Sequence, residues 1–235
     1  MKRIAVLQSN YIPWKGVFDL INSVDEFILY DDVQYTTKDW RNRNKIKTHT
    51  GLLWLTIPIA KKTSHGQIQH TQVANHTWGK KHWQTLHQFY TRAPYFDRYA
   101  EAIKATYEQC ASEDHLSRIN YQFYQLICGF LGITTPITWS MDYSLTATEK
   151  NRRLIELCHQ AGGTHYLSGP AAKNYMDPKI WAENQINLDY FSYEGYPEYP
   201  QLFGPFEHFV SVLDLLFNTG PNAREYMLSF SKEGN

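Results

Sequence analysis

The chain has 235 residues, of which 23 are basic and 23 are acidic, so its formal net charge is zero, and 43% of its residues are hydrophobic. That hydrophobic content argues against a disordered chain, and the balanced charge argues against binding along a nucleic-acid backbone. No apolar run approaches the ~18 residues of a membrane-spanning helix, and neither a signal peptide nor close cysteine pairs are evident, so a cytoplasmic protein with reduced thiols is expected.

The first quarter of the chain has the pattern of a strand, a helix and a second strand. Apolar residues predict a buried strand over residues 4–7, a short helix over 16–23 and a strand over 26–30. A third strand is predicted over 52–59. The order strand–helix–strand favours a βαβ unit with a parallel pair of strands.

The remainder of the chain alternates between helical and extended patterns. The predicted helices cover residues 77–90, 94–110, 116–131, 148–160 and 206–217, and the predicted strands cover 136–141, 166–167 and 186–191. This alternation predicts an α/β fold, a three-layer sandwich around a mostly parallel, Rossmann-like sheet. We expect a single domain over residues 1–235 with a helical insertion at about 76–132.

Polar side chains follow several of the predicted strands. They are Gln8, Asn10 and Tyr11 after the first strand, Asp31, Asp32 and Gln34 after the second, and Ser168 and Gly169 after the strand at 166–167. Because ligands of open parallel sheets bind beyond the carboxyl ends of the strands, these groups predict a pocket for a small polar molecule.

Each of these groups also has a plainer interpretation. Residues 8–11 can form a turn that caps the following helix, and Ser168–Gly169 can be an ordinary strand-end turn. The pair Asp31–Asp32 suits acid–base chemistry, but one helix cap and one solvated carboxylate would account for it equally.

Residues 38–47 place five cations around Trp40. They predict an anion site for a phosphate, since arginine offers paired donors, although a solvated basic face is the alternative. The histidines and cysteines show no zinc-site spacing, so neither a metal nor a cofactor is required by the sequence.

Several motifs together carry a family likeness. They are QSNYIPW at 8–14, YDDVQY at 30–35, Trp40 with RNKI at 43–46, RAPYF at 92–96, YLSG at 166–169, YPQ at 199–201 and SVLDLLFN at 211–218. In this order they resemble the WbqC-like family over nearly the whole chain, with Ser9 where the family pattern usually has proline. The resemblance implies a bacterial setting in surface-polysaccharide (O-antigen, lipopolysaccharide) biosynthesis and transfer of an amino acid such as glycine, or another acyl group, to a sugar amine.

A weaker likeness concerns the first strand–helix–strand unit. It is similar to the nucleotide-binding fold of the HxGH nucleotidyltransferases and pantothenate ligases, but the HxGH histidines are missing around residues 13–18. Phosphate chemistry of that kind would need Lys15, Arg43 or Lys150 instead.

The leading hypothesis is an enzyme that acylates an amino sugar or sugar nucleotide. Asp31 or Asp32 would act as the base, while Ser168 and Gly169 would donate to the oxyanion. The remaining predicted substrate contacts are Gln8, Asn10, Tyr11, Gln34, Arg43, Asn44, Lys45, Lys150, Tyr199 and Gln201. Arg43 and Lys45 would contact a phosphate, and the donor would be an acyl-CoA or an acyl carrier protein thioester. The alternative is a non-catalytic protein that binds a glycan or sugar nucleotide, and the sequence leaves the oligomeric state open.

Overall fold

The computed structural model describes residues 1–230. Its strands are β1 (Arg3–Leu7), β2 (Glu26–Leu29), β3 (Arg43–Thr48), β4 (Gly51–Thr56), β5 (Ile137–Trp139), β6 (His165–Ser168) and β7 (Asn187–Tyr190). Its α-helices are α1 (Lys15–Asn22), α2 (Trp78–Tyr90), α3 (Phe96–Gln109), α4 (Leu116–Leu131), α5 (Lys150–Gln160), α6 (Pro178–Glu183) and α7 (Val212–Thr219). Short 3₁₀ turns occur in several of the connections.

The main sheet has five parallel strands in the order β5-β2-β1-β6-β7. The central strand β1 pairs with β2 along residues 4–7 and with β6 on its other side. Every residue of β2 is buried, as expected for a strand that is covered on both faces. The predicted α/β class with a parallel sheet is confirmed.

The two faces of the sheet are covered by different helices. Ala5 and Leu29 point to the face covered by α1, α4 and α7, whereas Ile4, Ile28 and Tyr166 point to the face covered by α5 and α6. This separation follows from the alternation of side chains along each strand. Helices on both faces give the three layers that the sequence predicts.

The helices α2, α3 and α4 lie between β4 and β5, inside the interval predicted for the insertion. Their buried residues Leu86, Ile103 and Phe123 belong to the same hydrophobic cluster as Phe27 of the sheet. The helical segment therefore packs on the sheet core and completes one of its faces.

The cation-rich segment differs most from the prediction. Residues 43–48 form β3, which pairs antiparallel with β4 in a separate hairpin, so the strand predicted over 52–59 is shorter and lies outside the main sheet. In β3, Asn44 and Ile46 are buried while Arg43 and Lys45 are half-buried. This polar strand has no apolar run, which is why the sequence pattern did not predict it.

The C-terminal third contains two further differences. The helix predicted over 206–217 begins only at Val212, because the Ser211 hydroxyl accepts a hydrogen bond from Leu213 N (3.3 Å) and caps the helix there. The short helix α6 was not predicted. It begins with Pro178 after Asp177, whose side chain accepts from Lys179 N at 3.0 Å.

Candidate functional site

The order in which the strands are added to the sheet reverses at β1. The chain passes from β1 to β2 on one side, while β6 pairs with β1 on the other. At such a switch point the loops that follow the two neighbouring strands diverge, and ligands bind in the crevice between them. The segment 8–14 after β1 and Gly169 after β6 border that crevice.

The loop after β1 has an unusual backbone held by buried contacts. Ile12 has φ of +36°, a region that β-branched residues rarely adopt. The Asn44 side chain donates to the carbonyls of Tyr11 (3.2 Å) and Ile12 (2.8 Å), and Val212 N donates to Pro13 O (2.9 Å). Asn44 therefore fixes the loop conformation, in addition to lining the cavity described below.

Tyr11, a predicted substrate contact, lies in the protein core. Its hydroxyl is 2.7 Å from the Tyr107 hydroxyl and 2.9 Å from His82 Nδ1, and its side chain is completely buried. Burial lowers the pKa of His82 to about 4, so the imidazole is neutral at pH 7. Tyr11 anchors the loop from below and does not reach a ligand.

A cavity of about 330 Å³ lies against this loop and the start of α1. Its lining residues are Asn10, Pro13, Trp14, Val17, Trp40, Asn44, Tyr193 and Phe209. We call it the aromatic cavity. A Cβ atom on Gly169 would lie 3.8 Å from the Tyr193 hydroxyl, so the cavity extends toward the loop that follows β6.

The irregular segment after β7 supplies much of the cavity wall. The Trp14 ring centroid lies 5.2 Å from that of Tyr193 and 5.4 Å from those of Tyr196 and Phe209. The helix predicted over 206–217 would include Phe209 on its apolar face, but the helix begins only at Val212 and Phe209 is 59% exposed.

Asn10 lines the aromatic cavity and carries a buried polar atom without a partner among the described residues. The residue is only 7% exposed, and its side-chain Oδ1 has no hydrogen-bond partner among the described residues. An acceptor buried without a partner costs about 1–3 kcal/mol. An N–H or O–H donor that reached Oδ1 would remove this cost.

A cationic rim adjoins the cavity through Trp40. The Trp40 and Trp54 ring centroids are 5.3 Å apart, and both side chains are about 40% exposed. The Arg43 guanidinium lies 4.2 Å from the Trp54 centroid, and Lys45 Nζ lies 5.2 Å from it. Neither cation is within 4 Å of a carboxylate in residues 1–230, although Arg43 Nη2 donates a hydrogen bond to Lys38 O.

Asp31 is enclosed beneath the loop and does not line the cavity. Its Oδ1 accepts from Ser9 N (2.8 Å), and its Oδ2 accepts from the Ser117 hydroxyl. Burial raises the pKa of Asp31, and the hydrogen bonds from Ser117 and Ser9 oppose that rise. The Arg41 guanidinium, also buried, donates to Ser9 O at 3.4 Å. These contacts place Asp31 in the support of the loop.

Asp32 faces the opposite side of the sheet. It accepts a hydrogen bond from Ser140 Oγ (2.6 Å) and is paired with Arg153 of α5. Ser168 is buried on that same side, where its side chain bonds to Tyr166. Lys150, at the start of α5, also lies over this face. Asp32, Ser168 and Lys150 therefore lie on the face of the sheet opposite to the aromatic cavity.

Tyr199 and Gln201 belong to a buried network around Asp214. Asp214 accepts from the hydroxyls of Tyr199 (2.8 Å) and Tyr90 (2.7 Å) and from Gln201 Nε2 (2.8 Å). Lys47 Nζ donates to Gln201 Oε1 at 2.6 Å. These predicted ligand contacts instead hold the 193–211 segment on α7 and the hairpin.

Gln34 and Gln8 take different positions. Gln34 is exposed and forms an isolated β-bridge with Gln67, away from the cavity. Gln8 is half-buried at the end of β1, next to the crevice. Among the residues that line the aromatic cavity, the sequence predicts only Asn10 and Asn44 as ligand contacts. The lining residues that it does not predict as contacts are Pro13, Trp14, Val17, Trp40, Tyr193 and Phe209; for the last two, the signal is the length of the Pro- and Tyr-rich irregular segment.

Lys15 is a buried cation beside the cavity. It is 2% exposed, its Nζ donates to Pro197 O (3.1 Å), and the Tyr196 and Tyr199 ring centroids lie 4.9 and 5.1 Å away. Burial lowers the pKa of Lys15 to about 8, although Asp19 opposes the shift. The tyrosine faces replace part of the lost hydration.

We expect Lys15 to make stability rise with pH above neutrality. Its folded-state pKa of about 8 is below the unfolded value of 10.5, so between these values the unfolded chain binds more protons. The free energy of unfolding of the wild type, relative to Lys15→Met, should therefore increase from pH 8 to 10.5. Urea unfolding across that range measures it. A flat difference would contradict the burial of a charged Lys15, and the exposed Lys179→Met is the control.

The arrangement of the potential metal ligands and the burial of the cysteines bear on two further kinds of site. Residues 1–230 contain no group of three or more His, Cys, Asp or Glu side chains arranged to hold a metal ion. Cys110, Cys128 and Cys158 are buried free thiols, and burial raises the pKa of each to about 12. In the same part of the chain, none of the helices has the length and apolar character needed to cross a membrane.

Comparison with known proteins gives one family. The model of the WbqC-like protein family matches residues 8–226, a range that includes the aromatic cavity and the cationic rim. An uncharacterized protein of Mycobacterium tuberculosis (strain ATCC 25618 / H37Rv) is 46% identical over 228 residues, which cover 97% of this chain and 98% of that relative. No solved structure matches the chain.

Proposed function

The chain belongs to the WbqC-like protein family, and from this premise we propose that it transfers an acyl or aminoacyl group, such as glycine, to the amine of a sugar or sugar nucleotide. The product would enter bacterial surface-polysaccharide biosynthesis, and the reaction would take place in the cytoplasm. The donor would be an acyl-CoA or a carrier-protein thioester.

The observation that carries this proposal is the buried, unpaired Oδ1 of Asn10, a residue that lines the aromatic cavity. A buried acceptor of this kind selects a ligand with a donor in the matching position. An amine supplies that donor, and the surrounding aromatic faces also attract its protonated form. The volume of about 330 Å³ lies in the range of small-molecule sites.

The cationic rim supports a ligand in which the sugar is linked to phosphate. Arg43 and Lys45 present charged donors beside Trp40, the residue that the rim shares with the cavity. A sugar ring in the cavity would thus place its phosphate substituent next to these side chains. Trp54, which stacks under Arg43, would offer a platform for a base or a second ring.

The proposed chemistry requires the free amine. Its nitrogen lone pair attacks the carbonyl carbon of the thioester, the new C–N bond forms as the C–S bond breaks, and the proton lost by nitrogen ends on the leaving sulfur. Asn10 would orient the amine, and the backbone N–H of Gly169 would stabilise the oxyanion. We do not assign the proton transfer to Asp31 or Asp32, because both carboxylates are engaged in protein contacts.

That engagement favours a second candidate, a non-catalytic protein that binds a sugar nucleotide. The two functions differ in product formation. Incubation with UDP-glucosamine and acetyl-CoA, glycyl-CoA or the matching carrier thioesters, followed by mass spectrometry, would reveal an amide product for a transferase. Tight UDP-glucosamine binding without product from any of these donors would support the binding protein.

Replacing Asn10 tests the recognition of the amine. We expect Asn10→Ala to weaken binding of UDP-glucosamine by about 10- to 100-fold, the loss of a charge-assisted hydrogen bond, with little effect on UDP-glucose. Calorimetric titration measures both ligands. Asn187→Ala, on an exposed residue at the other edge of the sheet, is the matched control. Equal affinity of wild type and Asn10→Ala for UDP-glucosamine would contradict the proposal.

A further inference from the structure

A second group of polar side chains lies on the opposite face of the sheet. Alternation along the strands directs Val6, Tyr30, Ser168 and Tyr190 to the face that α5 and α6 cover. Val6 is in the central strand and yet only half-buried, so the helices leave the carboxyl end of this face open. The opening shares the carboxyl edge with the aromatic cavity but is separated from it by the sheet.

Two lysines extend over tyrosine rings at this opening. Lys150 Nζ lies 5.9 Å from the Tyr175 ring centroid, and Lys173 Nζ lies 5.2 Å from the Tyr190 centroid. Both lysines are exposed, and Tyr175 is 53% exposed. Within the described part of the chain, neither ammonium is within 4 Å of a carboxylate.

The acidic side chains nearby are already bound. Asp32 is paired with Arg153, which also contacts Tyr30, and Glu149 accepts from the backbone N–H groups at the start of α5. The electrostatic effect of Asp32 is therefore largely cancelled by Arg153. The two lysines thus lie beside tyrosine rings without a carboxylate within 4 Å among the described residues.

We propose that this tyrosine–lysine cluster, made of Tyr30, Lys150, Lys173, Tyr175 and Tyr190, is a second ligand site that binds a phosphate-bearing acyl donor. The inference rests on the proposed function, since it assigns the donor to this face and the acceptor sugar to the aromatic cavity. The two ligands would meet at the carboxyl edge, where Gln8 and Gly169 lie at the ends of β1 and β6. Ammonium and hydroxyl donors, with stacking tyrosines, suit the phosphates of coenzyme A or of a nucleotide.

The first experiment measures binding of pyrophosphate, coenzyme A and ATP to the full chain by calorimetric titration. Wild type should bind at least one of them, with an affinity that falls as salt rises. Lys150→Gln and Lys173→Gln should each weaken that binding about fivefold or more. Lys179→Gln, which removes an exposed lysine outside the cluster, should leave it unchanged. Preference for coenzyme A or ATP over pyrophosphate identifies the phosphate source.

A second set of variants separates this site from the cationic rim. Arg43→Gln should not alter the affinity for pyrophosphate, and Lys150→Gln should not alter the affinity for UDP-glucosamine. Failure of all three phosphate ligands to bind, or binding sensitive to Arg43→Gln but not to the two lysine variants, would overturn the inference. Intact UDP-glucosamine recognition in that case would leave the proposed function standing. Phosphate binding at the cluster by a wild-type protein that does not discriminate UDP-glucosamine from UDP-glucose would contradict the proposed function and leave a phosphate site without the assignment of an acyl donor.

Discussion

Replacement of Asp214 by alanine should lower the free energy of unfolding by about 3–5 kcal/mol, because it leaves two buried hydroxyls without an acceptor. They are the hydroxyls of Tyr90 (2.7 Å) and Tyr199 (2.8 Å); Gln201 Nε2 also loses its contact with the carboxylate (2.8 Å) but keeps its contact with Glu207 O (2.9 Å). Asp214 is 1% exposed, so water cannot replace it without local opening. The same change should release the 193–211 segment and weaken UDP-glucosamine binding, since this segment carries Tyr193 and Phe209.

Graded variants test this prediction. Asp214→Asn keeps one acceptor oxygen and the shape of the side chain, so we expect it to cost about 1–2 kcal/mol, less than alanine. Asp189→Ala removes an exposed carboxylate of β7 and should change stability by less than about 0.5 kcal/mol. Urea unfolding gives the three values. An Asp214→Ala loss no larger than that of Asp189→Ala would show that the network does not hold the segment.

The sheet is predictable because its strands are short apolar runs. The residues of β2 are buried on both faces, and such a run identifies a strand without knowledge of its neighbours. The hairpin strand β3 obeys a different rule. In this strand the buried residues Asn44 and Ile46 alternate with the half-buried Arg43 and Lys45. Asn44 is buried because it donates a hydrogen bond to the strained loop after β1, and the sequence alone does not distinguish such an asparagine from a solvated one.

For the candidate site, the sequence predicts the edge of the sheet but not which side chains line the aromatic cavity. The rule that ligands lie beyond strand ends selects the edge of the sheet at which the aromatic cavity lies, but the face and depth of each side chain depend on distant partners. Tyr11 is buried by Tyr107, 96 residues later, and Asp31 by Ser117, 86 residues later. Asp31 and Asp32 are adjacent in the chain, yet Asp31 supports the cavity loop whereas Asp32 pairs with Arg153 on the opposite face of the sheet.

Aromatic residues show the same dependence on context. Trp14 is a cavity wall because Tyr193 and Phe209, from the end of the chain, pack beside it. Tyr199 lies in the same irregular segment as Tyr193, but its hydroxyl points into the Asp214 network. The high tyrosine content of this chain therefore divides between buried hydroxyls with protein partners and rings that border the two candidate ligand sites. Local sequence does not encode that division.

Variants of Asp31 distinguish two roles for this carboxylate, support of the loop after β1 and catalysis as a general base. If Asp31 supports the loop, Asp31→Ala should lower the free energy of unfolding by about 2–4 kcal/mol, because the buried Ser9 N and Ser117 hydroxyl lose their acceptor. It should also reduce UDP-glucosamine affinity by displacing Asn10, the next residue after Ser9. Asp31→Asn should show both effects at smaller size.

A catalytic base at Asp31 would give a different pattern. Asp31→Asn would then retain wild-type stability and full UDP-glucosamine affinity while losing turnover and the pH dependence of an ionising carboxylate. Asp32→Asn serves as the comparison, since it weakens only the contacts with Arg153 and Ser140 on the far face. We expect that variant to keep the affinity for UDP-glucosamine, because the sheet lies between Asp32 and the aromatic cavity. Asp31 would be a positioning residue if Asp31→Asn lost both stability and affinity for UDP-glucosamine while Asp32→Asn kept that affinity.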